Sequence, residues 1–168
     1  IESFQNFQDE CPAFNNFRLI VAGQVDEGSR PYYNKLLNIS KGNSAIQIIV
    51  NPSADELDQL YKNCYAVLNT TLNEDWGLVP LEGMAYGKPI IAVNRGGPKE
   101  SIIDKKTGIL TEPTTFGFMQ AMKILAEDKN LVLKMGSDAR QHSLKHNRSY
   151  FINKIDHYID CLDKKNIK

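Results

Sequence analysis

The stretch Asn73-Glu-Asp-Trp-Gly-Leu-Val-Pro-Leu-Glu-Gly-Met-Ala-Tyr-Gly-Lys-Pro-Ile-Ile-Ala-Val-Asn-Arg-Gly-Gly-Pro-Lys-Glu-Ser101 organises the chain. It opens with a loop carrying a carboxylate, Glu74, and a glycine, Gly77. A short helix is predicted next, with Pro80 near its first position and Glu82 in its first turn, because proline suits a position whose N–H needs no partner. The turn Gly87-Lys88-Pro89 leads into an apolar strand, Ile90 to Val93, and the pair Gly96-Gly97 precedes Pro98, where another helix starts. Two helix N-termini thus open from glycine-bearing loops. Their free N–H groups and partial positive charge suit a phosphate.

Outward from this stretch, short apolar strands alternate with helical patterns. Ile1, Phe4 and Phe7 form a helical stripe that Cys11-Pro12 breaks. Arg18–Gly23 reads as a fully apolar strand of the buried, parallel kind, Ile46–Val50 and Ile90–Val93 as further apolar strands, Ala66–Thr70 as another strand and Thr107–Thr111 as an edge-like one. Helices are predicted at Tyr32–Ile39, at Asp55–Cys64 behind the capping box Ser53-Ala-Asp-Glu56, at Phe116–Glu127 and at Leu131–Lys145. A last one, Tyr150–Leu162, would bury Phe151, Ile155, Tyr158, Ile159 and Leu162. The alternation predicts an α/β fold, a Rossmann-like α/β/α sandwich around an open, mostly parallel sheet. Such sheets bind ligands beyond the carboxyl ends of their strands, so the loops at Gly23, Asn51, Asn73 and Arg95 should line one edge.

Composition narrows the classes. The 168 residues are 42% hydrophobic and 24% charged, enough for one domain with a real core, and the net charge is zero, which gives no electrostatic footprint for nucleic acid. From Lys134 onward eight Lys or Arg stand against four Asp, a mildly basic tail that is a solvated helical face or a contact for an anionic membrane surface. Cys11, Cys64 and Cys161 make no zinc spacing, which suits a reduced, cytoplasmic protein. No apolar run is long enough to span a membrane. The abrupt start at Ile1 suggests an excised piece of a longer chain.

The carboxylates carry the chemistry. Were the interval wholly helical, Glu74 and Glu82 would lie roughly 12 Å apart along the axis. Cooperating glycosidase carboxyls need about 5–9.5 Å. The natural reading is that each glutamate accepts hydrogen bonds from a different hydroxyl-bearing end of one elongated ligand, with a diphosphate on the N–H groups of residues 76–79 between them. Plainer readings stand beside this one: Glu82 as a first-turn acid, Glu74 as a solvated loop residue, Trp76 as a core aromatic and the glycines as turn residues.

From Glu74 to Glu82, and on through Gly-Lys-Pro and Gly96-Gly-Pro-Lys-Glu100, the chain resembles the Glu-x7-Glu signature of family 4 retaining glycosyltransferases of the GT-B fold. Within that family it most resembles lipid-linked-oligosaccharide α-1,3-mannosyltransferases and their prokaryotic relatives. The resemblance implies that residues 1–168 are the C-terminal, donor-binding domain of a two-domain hexosyltransferase whose N-terminal domain would bind a glycan or lipid-linked acceptor. It implies GDP-mannose as substrate, no cofactor and no metal. Glu74 would hold the donor sugar, the N–H groups of Trp76, Gly77, Leu78 and Val79 the sugar and diphosphate, Glu82 the ribose, and Val50-Asn51 the base. Relatives usually have glycine at Asn51, alanine at Gly83 and phenylalanine at Trp76. The strand and the Arg–Lys pair that clamp the diphosphate would precede Ile1. Such a domain alone is expected to be inactive, in a cytoplasmic enzyme that can sit on the cytoplasmic membrane face.

Other readings are weaker. A UDP-sugar transferase or nucleotide-sugar epimerase would share the fold. A pyridoxal phosphate-dependent phosphorylase would need a cofactor lysine that nothing nominates, and a flavodoxin-like regulatory domain would want an aspartate where Thr70 ends its strand. No Gly-x-Gly-x-x-Gly or P-loop follows a strand. Asp138, His142 and His146 share a helix face and form either a metal-ligand trio or a solvated polar stripe.

Overall fold

The computed structural model describes residues 1–146 and 148–165, the last helix partly by its backbone alone. Five parallel strands alternate with helices: α1 (Glu2–Glu10), β1 (Leu19–Gly23), α2 (Arg30–Ser40), β2 (Ile46–Val50), α3 (Ala54–Asn63), β3 (Val67–Asn69), α4 (Leu78–Ala85), β4 (Ile90–Val93), α5 (Gly97–Ser101), β5 (Gly108–Thr111), α6 (Thr115–Glu127), α7 (Lys129–Ser143) and α8 (Arg148–Lys165). Every strand pair is parallel, and β5 lies at an edge as its short run predicts. The expected α/β sandwich is present.

Strand β4 is the centre of gravity. All four of its residues are buried, and they alternate between two apolar layers. Ile91 and Val93 pack with Phe118, Ala121 and Leu125 of α6 and with Val132 and Met135 of α7. Ile90 and Ala92 face the other way, onto Met84 of α4, Ile102 and Ala139 of α7. Burying a side chain of this size contributes about 1.5–3 kcal/mol. The helices start where their caps say. Ser53 and Glu56 form the predicted reciprocal capping box, Thr114 accepts from Gly117 N–H, and Asp128 accepts from Leu131 N–H.

Three expectations fail. First, the strands do not form one continuous sheet: β1 pairs with β2, while β3, β4 and β5 form a separate ladder. Side chains rather than backbone hydrogen bonds join the two groups. Phe4, Phe7 and Cys11 are buried against Met119 of α6, with Phe14, Phe17 and Leu19 around them, and Phe17 meets Tyr65 edge-on at 5.0 Å. Second, β1 is not a buried strand; Ile20 is 42% exposed, and Val50 of its partner β2 37%, because one face of this two-stranded piece lacks a full covering layer. Third, Ile155 and Ile159 of α8 are exposed, since the neighbour this helix packs on most is the short 3-10 turn Leu144–His146. The side chains of Phe151, Tyr158 and Leu162 lie outside the described residues. Among the described residues no helix is long and apolar enough to cross a membrane.

Candidate functional site

The loop after β3 is built from its first residue. Asn69 ends the strand buried, and its carboxamide oxygen accepts the N–H of Thr71 at 3.0 Å, which turns the chain toward residues 73–77. Gly77 adopts φ 84°, a left-handed conformation that suits glycine, and α4 starts immediately after it. Pro80 is therefore the third helical residue rather than the first, and Glu82 the fifth. Glu82 is not the first-turn acid that the position of Pro80 suggested. Since Pro80 has no N–H, the start of α4 offers the free N–H groups of Leu78 and Val79. Glu74 curls back over this start, and its Oε1 accepts the N–H of Gly77 at 3.3 Å. Of the predicted anion-binding amides, that of Gly77 is thus already weakly engaged.

The Gly96-Gly97 loop locks onto this one. Gly97 N–H donates to the carbonyl of Glu74 at 2.7 Å. A Cβ on Gly97 would sit 2.4 Å from the carbonyl carbon of Trp76, and one on Gly96 2.4 Å from the carbonyl oxygen of Glu74. Only Gly96 has positive φ, at 57°. Gly97 is a glycine for clearance. Trp76 is not the core aromatic of the plainer sequence reading: backbone packs on its main chain, and the residue is 47% exposed. Leu78 and Val79 beside it are exposed as well, at 66% and 42%.

The histidine stripe packs behind the same loop. The His146 ring meets the Trp76 indole edge-on at 6.0 Å and the His142 ring at 5.1 Å, and His142 Nε2 lies 3.1 Å from the carbonyl oxygen of Ser101. Both histidines are half-buried, so the stripe is not simply a solvated face. Nor is it a metal trio: among the described residues no three His, Cys, Asp or Glu side chains cluster as a metal site. Burial first, then the neighbouring His142 and Lys145, push the His146 imidazole below its ordinary value.

Glu82 has a partner that the sequence did not announce. The Tyr61 hydroxyl of α3 donates to Glu82 Oε2 at 2.8 Å. The Tyr61 ring stacks on that of Tyr86 with centroids 5.2 Å apart, and the Tyr86 hydroxyl donates to Asp58 Oδ1 at 2.7 Å. Lys62 pairs with the other oxygen of Asp58. Helical spacing is the only sequence signal for this cluster, since 58, 61 and 62 share one face of α3 while Tyr86 caps α4 one turn after Glu82.

Asn51 lies beyond β2 with φ 51°, so it takes the left-handed conformation that a glycine would otherwise supply. Its side-chain oxygen accepts the N–H of Val25 at 2.9 Å, which ties the loop after β2 to the loop after β1. The four strand-end loops are therefore latched in two pairs, one on each sheet group. Among the described residues no hydrogen bond joins Asn51 directly to Glu74 or Glu82. Two shallow clefts, of about 330 and 220 Å³, open at the amino ends of the strands, around Phe17 and around Cys64. Neither belongs to the edge that carries the carboxylates.

Known proteins resemble this chain in sequence and share its fold. The family model for glycosyl transferases group 1 matches residues 1–142. The chain is 33% identical over 129 residues to the alpha-1,3/1,6-mannosyltransferase ALG2 of Dictyostelium discoideum, covering 73% of this chain and 31% of that protein. It is 29% identical over 158 residues to the GDP-Man:Man(3)GlcNAc(2)-PP-Dol alpha-1,2-mannosyltransferase of the same organism, covering 91% and 31%. Anabaena Alr3699/HepE, solved in complex with UDP, superposes with a TM-score of 0.80 at 22% identity, over 93% of this chain and 43% of that one. The chain thus spans about a third of the length of these curated relatives.

Proposed function

Because the chain belongs to the family of glycosyl transferases group 1, we propose that it is the donor-binding part of a longer retaining hexosyltransferase that uses GDP-mannose. Its fold is the Rossmann-like half of a GT-B enzyme. The observation that carries the proposal is the arrangement along α4. Glu74 curls over the start of this helix, two unpaired N–H groups follow, and Glu82 stands five residues beyond the cap, about 7.5 Å along the axis. That order matches a hexose, a diphosphate and a pentose laid end to end.

In this reading Glu74 exchanges its contact with the Gly77 N–H for hydroxyls of the donor sugar. The N–H groups of Leu78 and Val79 face the diphosphate and stabilise the charge that develops on it as the glycosidic bond breaks. Glu82 accepts from the ribose hydroxyls, and the base lies toward Val50 and Asn51. A donor phosphate oxygen takes the acceptor proton on the same face, so configuration is retained. The acceptor, a glycan or a lipid-linked one, meets the donor as two domains close. Similarity to the relative whose name includes GDP-Man supports the choice of donor. The split sheet supports the placement within a longer chain: one further parallel strand between β1 and β3 would join both groups, with α1 as its crossover to β1. The basic tail is proposed to rest on an anionic membrane surface.

Titration of the full-length protein with GDP and UDP tests the assignment. Glu82→Ala is expected to weaken nucleotide binding by roughly 10- to 100-fold, the worth of hydrogen bonds to a charged group. Glu74→Ala should leave that affinity within about two-fold and cut turnover instead. Negligible effects of both substitutions on both quantities would overturn the reading. Release of nucleotide only when acceptor is present separates a transferase from an epimerase.

A further inference from the structure

We infer that Tyr61 is a positioning residue for the ligand-facing carboxylate of Glu82, one member of a polar brace running Lys62–Asp58–Tyr86–Tyr61–Glu82 between α3 and α4. This rests on the reading that Glu82 holds the ribose of a nucleotide. Glu82 is exposed, and a free glutamate side chain there would populate many rotamers, with an entropic cost when a ligand fixes it. The Tyr61 hydroxyl meets that cost in advance. By donating to Oε2 at 2.8 Å it sets the plane of the carboxylate and leaves Oε1 for a hydroxyl of the ligand.

Tyr61 can play this part because it is itself fixed. Its ring lies 13° from parallel to that of Tyr86, and Tyr86 in turn donates to Asp58, which is anchored by Lys62 one turn along its own helix. Burial and the carboxylate of Glu82 push the Tyr61 hydroxyl well above its ordinary value, so it stays a donor at neutral pH. The hydrogen bond from Lys62, and then that from the Tyr86 hydroxyl, hold Asp58 below the usual carboxylate range, so it remains an acceptor. The two tyrosine hydroxyls point to opposite ends of the brace, that of Tyr61 to Glu82 and that of Tyr86 to Asp58, and the stacked rings join them. A purely structural tie between helices would not need the acceptor to be a carboxylate on the ligand-facing side.

The experiment is calorimetric titration of the full-length protein with GDP and UDP, carried forward with the tighter nucleotide and its 2′,3′-dideoxy form. Tyr61→Phe keeps the ring and the stack and removes only the hydroxyl. It should weaken binding of the ribonucleotide roughly 3- to 10-fold and that of the dideoxy form less than about two-fold. In a Glu82→Gln background Tyr61→Phe should add less than about two-fold, as expected for residues acting in series. Equal losses for both nucleotides, or none for either, would overturn the positioning role while Glu82→Gln alone still weakens the ribonucleotide. If Glu82→Gln has no effect, the ribose reading itself falls.

Discussion

The two sheet groups are built from similar amino acids and end in different states. Strand β4 is Ile-Ile-Ala-Val, and β1 is Leu-Ile-Val-Ala-Gly, yet the first is buried throughout while the second leaves Ile20 at 42% exposed. The difference comes from what covers each. β4 lies between two helical layers that α4, α6 and α7 supply, whereas β1 and β2 reach the body through α1 and a cluster of phenylalanines. The covered half carries Glu74, the start of α4 and Glu82; the uncovered half carries Asn51. Apolar composition makes a strand, and coverage decides how much stability that strand contributes.

Matched substitutions would break or sharpen this contrast. Ile91→Ala should cost about 2–5 kcal/mol in chemical denaturation, since it opens a cavity against Phe118 and Leu125. Ile20→Ala should cost less, about 1–1.5 kcal/mol, because at 42% exposure part of the transfer term is already missing and no closed cavity is left. Similar losses for the two would mean that the halves are equally well packed. Next in size is Gly97→Ala. Its Cβ would meet the Trp76 backbone at 2.4 Å, and neither backbone segment has a flexible end to yield. About 1–3 kcal/mol of stability and most of the nucleotide affinity should be lost together. Retained affinity would show that the latch between the two loops is dispensable.

The smallest effect is a pH dependence. The His146 value is depressed in the folded state, so an unfolded chain binds its proton more readily. The contribution is complete above the unfolded value of about 6.5 and is lost as pH falls through it toward the folded value. Trp76 is the only tryptophan in the sequence, so its fluorescence reports this contact directly. Emission should change with a midpoint below about pH 6.5, and His146→Gln should flatten it. A midpoint above that value would overturn the account of His146.

Much of the fold was legible because alternation of apolar runs and helical periods is a local signal. The caps at Ser53, Thr114 and Asp128 are similarly local, and the Ser53 box was readable as written. The break between β1 and β3 was not readable, since strand pairing depends on which edges meet and not on the character of the strands. Within the site, Pro80 misled: proline's preference for an opening position placed the helix start too late, while Gly77, with its left-handed φ, is the true cap. Gly96 and Gly97 look alike in a sequence, but the first is needed for its dihedral as well as for clearance and the second for clearance alone, both against the loop that carries Glu74 and Trp76. Tyr61 gave no warning, because its partner is 21 residues off on another helix.

Asn51 leaves one consequence for how this surface could change over generations. Its left-handed backbone and its bond to Val25 are supplied by the same residue. A glycine there would keep the dihedral and lose the tie, and an alanine would lose both. On the proposed placement of the base, its choice therefore cannot drift freely at this corner, because each trial substitution is also a trial of whether two neighbouring loops stay together.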